Sequence, residues 1–218
     1  MDPDPLHVCI ALGPLAVYLF LLGLINLSRR PFLTTGARDA AALGVGISGF
    51  VVVGPMELFL PGAAANRFGG YVWLLLLAFY ALCLTLWVLL LRPRLVIYNA
   101  TAEQLRPVLA GVVGELDKEA RWAGESLVLP QLGVQLHVEP YGGMRSIQLV
   151  AAGPEQSYAG WRRLEMVLAQ ALREIKTAPN PYGFAFVVIG LVVACLITAG
   201  MIHDTESVAQ TLREMLRL

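Results

Sequence analysis

Residues 71–91 read YVWLLLLAFYALCLTLWVLLL, an apolar stretch without a single charged side chain. A helix needs about 20 such residues to cross the hydrocarbon core of a bilayer, because each residue advances it by only ~1.5 Å. Three other long stretches are similarly apolar, at residues 6–27, 40–60 and 182–201. The sequence therefore predicts an α-helical polytopic membrane protein with four transmembrane helices.

The overall composition points to the same class. Hydrophobic residues make up 57% of the 218 residues and charged residues only 15%, whereas soluble domains carry about 25% charged residues. Cys9, Cys83 and Cys195 all fall inside predicted spans, without metal-ligand spacing. We interpret them as reduced, space-filling thiols, since free cysteine packs as a small apolar residue.

The distribution of basic residues predicts the topology. Residues 28–39 and 92–182 together hold thirteen of the 16 Lys and Arg residues. Cytoplasmic segments of membrane proteins carry this excess, so both termini are predicted outside. No basic region or signal cleavage site precedes the first span, which predicts a retained anchor. We expect a multi-pass protein of the bacterial inner membrane.

Small residues repeat at helical spacing in two of the spans. Ala42, Gly46 and Gly49 share one face of the second span, and Gly190 and Ala194 share one face of the fourth. Small side chains let helix backbones approach closely inside lipid. We therefore expect the second and fourth helices at the centre of the bundle, and the bulky third helix against lipid.

One ionisable residue, Glu57, falls inside a span, directly after a kink predicted at Gly54-Pro55. An intramembrane carboxylate is a candidate functional residue, but the position of Glu57 near the outer boundary favours an interfacial residue that pairs with Arg67 or reaches water. The alternative is an outer polar cluster of Glu57 with His7, His203 and Asp204. Such a cluster could bind an ion in principle, but it has no spacing signature, so the sequence assigns no metal ligand.

Residues 92–177 change pattern and predict a small cytoplasmic domain. Alternating or fully apolar runs predict strands at 94–99, 126–130, 133–139 and 145–151, and 3.6-residue periodicity predicts helices at about 101–120 and 154–176. The order β-α-β-β-β-α favours a two-layer α+β domain with two helices on one face of a four-stranded sheet. Its one histidine, His137, is interpreted as a surface residue on the polar sheet face.

Residues 178–201 then form the fourth transmembrane segment, and residues 202–218 predict an amphipathic helix. Val208, Leu212, Met215 and Leu216 share its apolar face. Such a helix beside a membrane lies in the lipid interface or packs against another subunit, and the sequence leaves both alternatives open.

No motif is specific enough to name a family, a catalytic residue or a cofactor. Acidic and basic residues nearly balance in 92–177, so nothing predicts nucleic-acid binding. The leading hypothesis is a non-enzymatic membrane scaffold or accessory subunit, whose domain binds a partner protein or forms a homo-oligomer. The alternative is a channel or transporter subunit gated by the domain, with Glu57 on its pathway. A third hypothesis is a membrane enzyme that uses the outer polar cluster.

Overall fold

The structure, a computed structural model, describes residues 4–56, 68–141 and 145–216. The chain divides into two compact units, which are described separately. The helical unit comprises Met1–Leu22, Ala41–Leu89 and Phe186–Leu218, and the sheet unit comprises Gly23–Ala40 and Leu90–Ala185.

The described residues contain seven α-helices. In chain order these are α1 (Pro5–Leu27), α2 (Gly36–Val51), α3 (Tyr71–Leu90), α4 (Ala102–Leu116), α5 (Tyr158–Arg173), α6 (Pro181–His203) and α7 (Thr205–Leu216). A π-helical turn, Val52–Met56, continues α2 at the predicted Gly54-Pro55 kink. The helices α1, α2 with this turn, α3 and α6 are long and apolar enough to cross a membrane, which confirms the four predicted helices. Residues 57–60 of the predicted second span lie outside the described residues.

The six strands form one antiparallel sheet in the order β1-β2-β6-β5-β4-β3. They are β1 (Phe32–Thr35), β2 (Arg94–Tyr98), β3 (Arg121–Ala123), β4 (Ser126–Leu129), β5 (Val134–Tyr141) and β6 (Ser146–Ala151). The sheet therefore has six strands, and the predicted number of four is wrong.

Both additional strands come from segments without strand periodicity. β1 lies in the link between α1 and α2 and pairs along β2, with Phe32 opposite Tyr98 and Thr35 opposite Leu95. Four residues with a partner some 60 positions later give no local signal. β3 has only three residues and pairs with β4 across a turn at Gly124, whose φ is +63°. The helix α4 ends at Leu116, earlier than the predicted end near residue 120, and β3 occupies Arg121–Ala123, for which the sequence predicted no element.

The sheet unit has its apolar core between the sheet and the helices α4 and α5. Leu127, Leu136 and Leu149 project from neighbouring strands and are fully buried. The helices contribute residues one turn apart, such as Leu164 and Leu168, which are also fully buried. Each such leucine contributes roughly 1.5–3 kcal/mol by its removal from water, so this interface defines the fold of the unit.

In the helical unit, α1 contacts both α2 and α6, and α2 also contacts α3. Of the most apolar 18-residue window of each helix, 28% is buried in the second span but only 6% in the third and fourth. The third span is therefore largely exposed, as expected. Within the described residues the fourth span is as exposed as the third, and its small residue Gly190 approaches α1, so its burial does not support the expected central position.

Candidate functional site

The predicted outer polar cluster is only partly within the described residues. Glu57 and Arg67 lie outside them. Asp204 caps α7, since its Oδ1 accepts a hydrogen bond of 3.2 Å from the backbone N–H of Ser207, and His203 is the exposed last residue of α6. Among residues 4–56, 68–141 and 145–216, no group of three or more His, Cys, Asp or Glu side chains is arranged to hold a metal ion.

His7 belongs to a polar contact that the sequence did not predict. Its Nδ1 lies 3.8 Å from Oδ1 of Asp4, which also accepts the backbone N–H of Leu6 at 2.8 Å and so caps α1. The hydroxyl of Thr211 on α7 donates to Oδ2 of Asp4. Burial acts to raise the pKa of Asp4, but the hydrogen bonds from Thr211 and Leu6 and the charge of His7 lower it overall. The tail helix is thus bonded to the start of α1 in the same chain.

The small residues of the second span occupy different environments. A Cβ atom at Gly49 would overlap the carbonyl oxygen of Ile10, so α1 and α2 cross there at backbone contact. A Cβ atom at Gly46 would lie 3.0 Å from Cβ of Tyr18 on the same helix, α1. Ala42 is exposed. Of the three predicted small residues of this span, Gly46 and Gly49 are thus the two in close contact with α1.

The fourth span approaches α1 through Gly190, where a Cβ atom would lie 3.0 Å from the carbonyl oxygen of Ala16. Ala194 lines an apolar groove between the same two helices.

A further glycine of the second span that the sequence did not single out, Gly44, is buried, and its carbonyl accepts a hydrogen bond of 2.7 Å from the Tyr80 hydroxyl. Its offset of two residues from Gly46 places it on another face of α2, toward α3.

Four buried polar residues in the sheet unit form what we call the asparagine junction: Asn26, Asn99, Thr177 and Asn180, each at most 6% exposed. The side-chain amide of Asn180 donates to Oδ1 of Asn26 at 3.2 Å, and its backbone N–H donates to the carbonyl of Asn26 at 2.9 Å. Buried polar groups are stable only when hydrogen-bonded. These bonds therefore hold the segment before α6 against the end of α1.

The rest of the junction connects the same segment to the sheet. The Asn99 amide donates to the Ser28 carbonyl at 2.5 Å and to the Thr177 hydroxyl oxygen at 3.1 Å, while the Thr177 N–H donates to the Arg29 carbonyl at 2.9 Å. Asn99 has a φ of +57°, a left-handed conformation that asparagine adopts more readily than most residues. The ends of β2, α1 and the link to α6 thus meet at one buried site.

The first turn of α2 covers part of the sheet face that the sequence predicted to be wet. The Tyr98 hydroxyl donates to Oδ1 of Asp39 at 2.5 Å, and the Arg94 side chain lies against Gly36, where a Cβ atom would overlap it. Arg94 and Tyr98 flank Val96 on that face of β2, and Val96 is only 2% exposed. The segment between the first two spans is therefore an integral part of the sheet unit.

An open groove of about 510 Å³, which we call the α4/α5 groove, lies between α4 and α5. Its floor is apolar and includes Val108, Val112 and Val167, and the charged residues that line it are Glu115 and Glu174. Neither carboxylate forms an ion pair within the described part of the chain. This surface combines exposed apolar area with unneutralised negative charge.

The structure also gives His137 a partner. Ser126 lies directly opposite it on β4, and the Ser126 hydroxyl is 3.0 Å from His137 Nδ1. Among the described residues, no carboxylate forms a hydrogen bond with this imidazole. The pair is of the kind that stabilises neighbouring strands, and it could have been found by aligning the two strands around their turn.

No protein-family model matches the chain, and no curated protein or solved structure is significantly similar to it.

Proposed function

We propose that this chain is a non-enzymatic membrane scaffold or accessory subunit whose sheet unit binds a partner protein at the cytoplasmic face of a bacterial inner membrane. Four apolar helices of spanning length support its membrane class. The excess of Lys and Arg in residues 28–39 and 92–182 supports the cytoplasmic position of the sheet unit. Within the sheet unit, the asparagine junction and β1 bond the sheet to residues 26–35 and 177–180 of the chain.

The observation that carries the proposal is the open α4/α5 groove at Gly111. Glycine in a helix interior costs about 1 kcal/mol relative to alanine, so its presence needs a reason. At Gly160 on α5 the reason is steric, because a Cβ atom would overlap the carbonyl oxygen of Leu132. At Gly111, by contrast, no atom in the described part of the chain lies within 4 Å of a Cβ position. Its missing side chain instead keeps the groove open, which favours an occupant from outside.

The lining of the groove indicates the chemistry of that occupant. Apolar residues such as Val108 and Val167 offer contact area to an apolar stripe, while Glu115 and Glu174 attract positive charge. An amphipathic helix laid into a groove between two helices presents both, with apolar residues every three to four positions. The proposed partner segment is therefore an amphipathic helix with Lys or Arg beside its apolar face.

The test compares two substitutions on α4 in the full-length protein. Gly111→Leu fills the groove, whereas Ala110→Leu adds the same side chain at an exposed position that does not line it. Partners are captured in cells with a photo-crosslinking residue at Gln170, and the particle mass is measured in mild detergent. We expect the crosslink to be lost only in Gly111→Leu. A monomeric wild-type particle without a crosslinked protein would contradict the proposal, and a crosslink to a second copy would replace the partner by self-association.

One observation favours the channel or transporter as a second candidate. The helix before Glu57 changes to a π-helical turn at Val52–Met56, and no atom of the described residues lies within 4 Å of a Cβ position at Gly54. π-Helical turns occur frequently at functional sites. Ion flux into liposomes tests this function: we expect Glu57→Gln to abolish a flux that the wild type supports. A wild-type protein without flux would remove this candidate.

A further inference from the structure

The segments that adjoin the spans on the sheet side carry one sign of charge. Residues 23–35, 90–100 and 175–185 contain no Asp or Glu. They contain five basic residues: Arg29, Arg30, Arg92, Arg94 and Lys176. Uncompensated charge of this kind attracts anions. These five residues can bind one anion only where the fold brings their side chains together.

Two hydrogen bonds to backbone carbonyls bring basic residues from three separate segments together. The Thr177 N–H donates to the Arg29 carbonyl at 2.9 Å, which places Arg29 beside Lys176. The guanidinium of Arg145, the residue immediately before β6, donates to the Ala178 carbonyl at 3.1 Å. We call Arg29, Arg30, Arg145 and Lys176 the basic cluster. Within the described residues none of the four forms an ion pair, and all but the half-buried Arg145 are exposed.

The position of the basic cluster along the chain fixes its depth if α1 and α6 span a membrane. Arg29 comes two residues after Leu27, the end of α1, and Lys176 comes five residues before Pro181, the start of α6. Such residues lie at the level of the lipid headgroups, where long basic side chains reach the interface. The asparagine junction lies among the same segments and holds their backbones in place.

We propose that the basic cluster binds the phosphate headgroup of an anionic phospholipid in the cytoplasmic leaflet. Guanidinium and ammonium groups are the side chains that recognise phosphate, and the headgroup supplies the negative charge that the surrounding segments lack. A bound lipid would bridge Arg29, just after α1, and Lys176, before α6, both within the sheet unit. This inference rests on the membrane insertion contained in the proposed function.

The test uses the full chain in nanodiscs of phosphatidylcholine, with or without phosphatidylglycerol. Lipid retained by the protein is counted by native mass spectrometry, and the thermal unfolding midpoint is measured in parallel. We expect the wild type to retain phosphatidylglycerol preferentially and to unfold at higher temperature in its presence. Because each basic residue near the membrane surface contributes a factor of roughly five, Arg29→Gln/Lys176→Gln is expected to lower the preference about 25-fold.

The matched control, Arg162→Gln/Arg163→Gln, removes the same charge from exposed positions on α5 and is expected to leave the preference unchanged. An equal loss in the control would overturn the site, as would an unchanged preference in the Arg29/Lys176 variant. An equal stabilisation by inorganic phosphate in phosphatidylcholine alone would assign the cluster to a soluble anion instead. If the double variant fails to insert, the single variant Arg30→Gln is compared with the control in the same way, by its preference for phosphatidylglycerol. A wild type that does not insert at all refutes the proposed membrane function itself.

Discussion

One substitution made at two glycines of the sheet unit is expected to change stability in opposite directions. Gly160→Ala on α5 places a methyl group over the Leu132 carbonyl oxygen and 2.8 Å from Cγ2 of Val134. Gly111→Ala on α4 places the same group in open space. Both residues lie within helices, so the change in helix propensity is similar and the difference isolates the packing.

The expected magnitudes follow from these surroundings. The Leu132 carbonyl is backbone and cannot rotate away, so the overlap at Gly160 forces a shift that costs about 1–3 kcal/mol, as in other overpacked cores. At Gly111 the alanine removes only the conformational penalty of glycine, a gain of about 0.5–1 kcal/mol. For a unit of roughly 100 residues, each kcal/mol shifts Tm by about 4–8 °C.

Trp161 provides the measurement, because it is 5% exposed in the core of the sheet unit and its indole N–H donates to Gln156 Oε1 at 2.8 Å. Its fluorescence is followed during heating of the full chain in mild detergent, with the other three tryptophans replaced by phenylalanine in every variant. We expect a lower Tm for Gly160→Ala and a higher one for Gly111→Ala. Shifts of the same sign would refute the packing argument, and with it the interpretation of Gly111 as sterically unnecessary.

Three further predictions concern the junction, the helix crossing and the tail. Asn180→Ala leaves the buried Asn26 side chain without this partner and is expected to cost about 1–3 kcal/mol, measured as a lower Tm of the same fluorescence transition. Gly49→Leu is expected to abolish a monodisperse particle in size-exclusion chromatography, whereas leucine at Gly13, where a Cβ would have no atom within 4 Å, is expected to be tolerated. The pKa of Asp4 is lowered below 3.8 in the folded state, so its stabilising contact with the tail is present above that pH and is lost as the pH falls through the lowered pKa. Spin labels on α1 and α7 are expected to separate in that acidic range, and a separation already present at neutral pH would contradict the contact.

The number and positions of the long apolar helices could be predicted because hydrophobic length is a local property. The same holds for β5 and β6, where apolar and polar residues alternate along most of each strand, whereas β4 is a short apolar run after Ser126. β1 could not be predicted, because Phe32–Thr35 becomes a strand only by pairing with β2. The number of helices around the fourth span could not be predicted for a related reason: a stripe containing Gly190 shows that one helix approaches, but not how many do.

For the candidate sites, the sequence identified polar residues that could interact, but only the structure showed which of them are in contact. Asp204 looked like part of a polar cluster with His203, yet its carboxylate is used to cap α7. Asp4 and Thr211 are 207 positions apart and no pattern connects them. The sequence also does not show that Gly160 packs against the backbone of Leu132 whereas Gly111 borders the open α4/α5 groove.

The sequence by itself determined that this chain has four helices long and apolar enough to cross a membrane, together with a small sheet covered by two helices. Both follow from the length and spacing of apolar residues along the chain. Only the tertiary structure decided that the link after the first span becomes an edge strand, and that Asn26, Asn99, Thr177 and Asn180 share one buried site. Those arrangements depend on hydrogen bonds between residues far apart in the chain. These hydrogen bonds stabilise the protein only after the chain has folded and brought their partners together. They therefore produce no periodic pattern in the sequence.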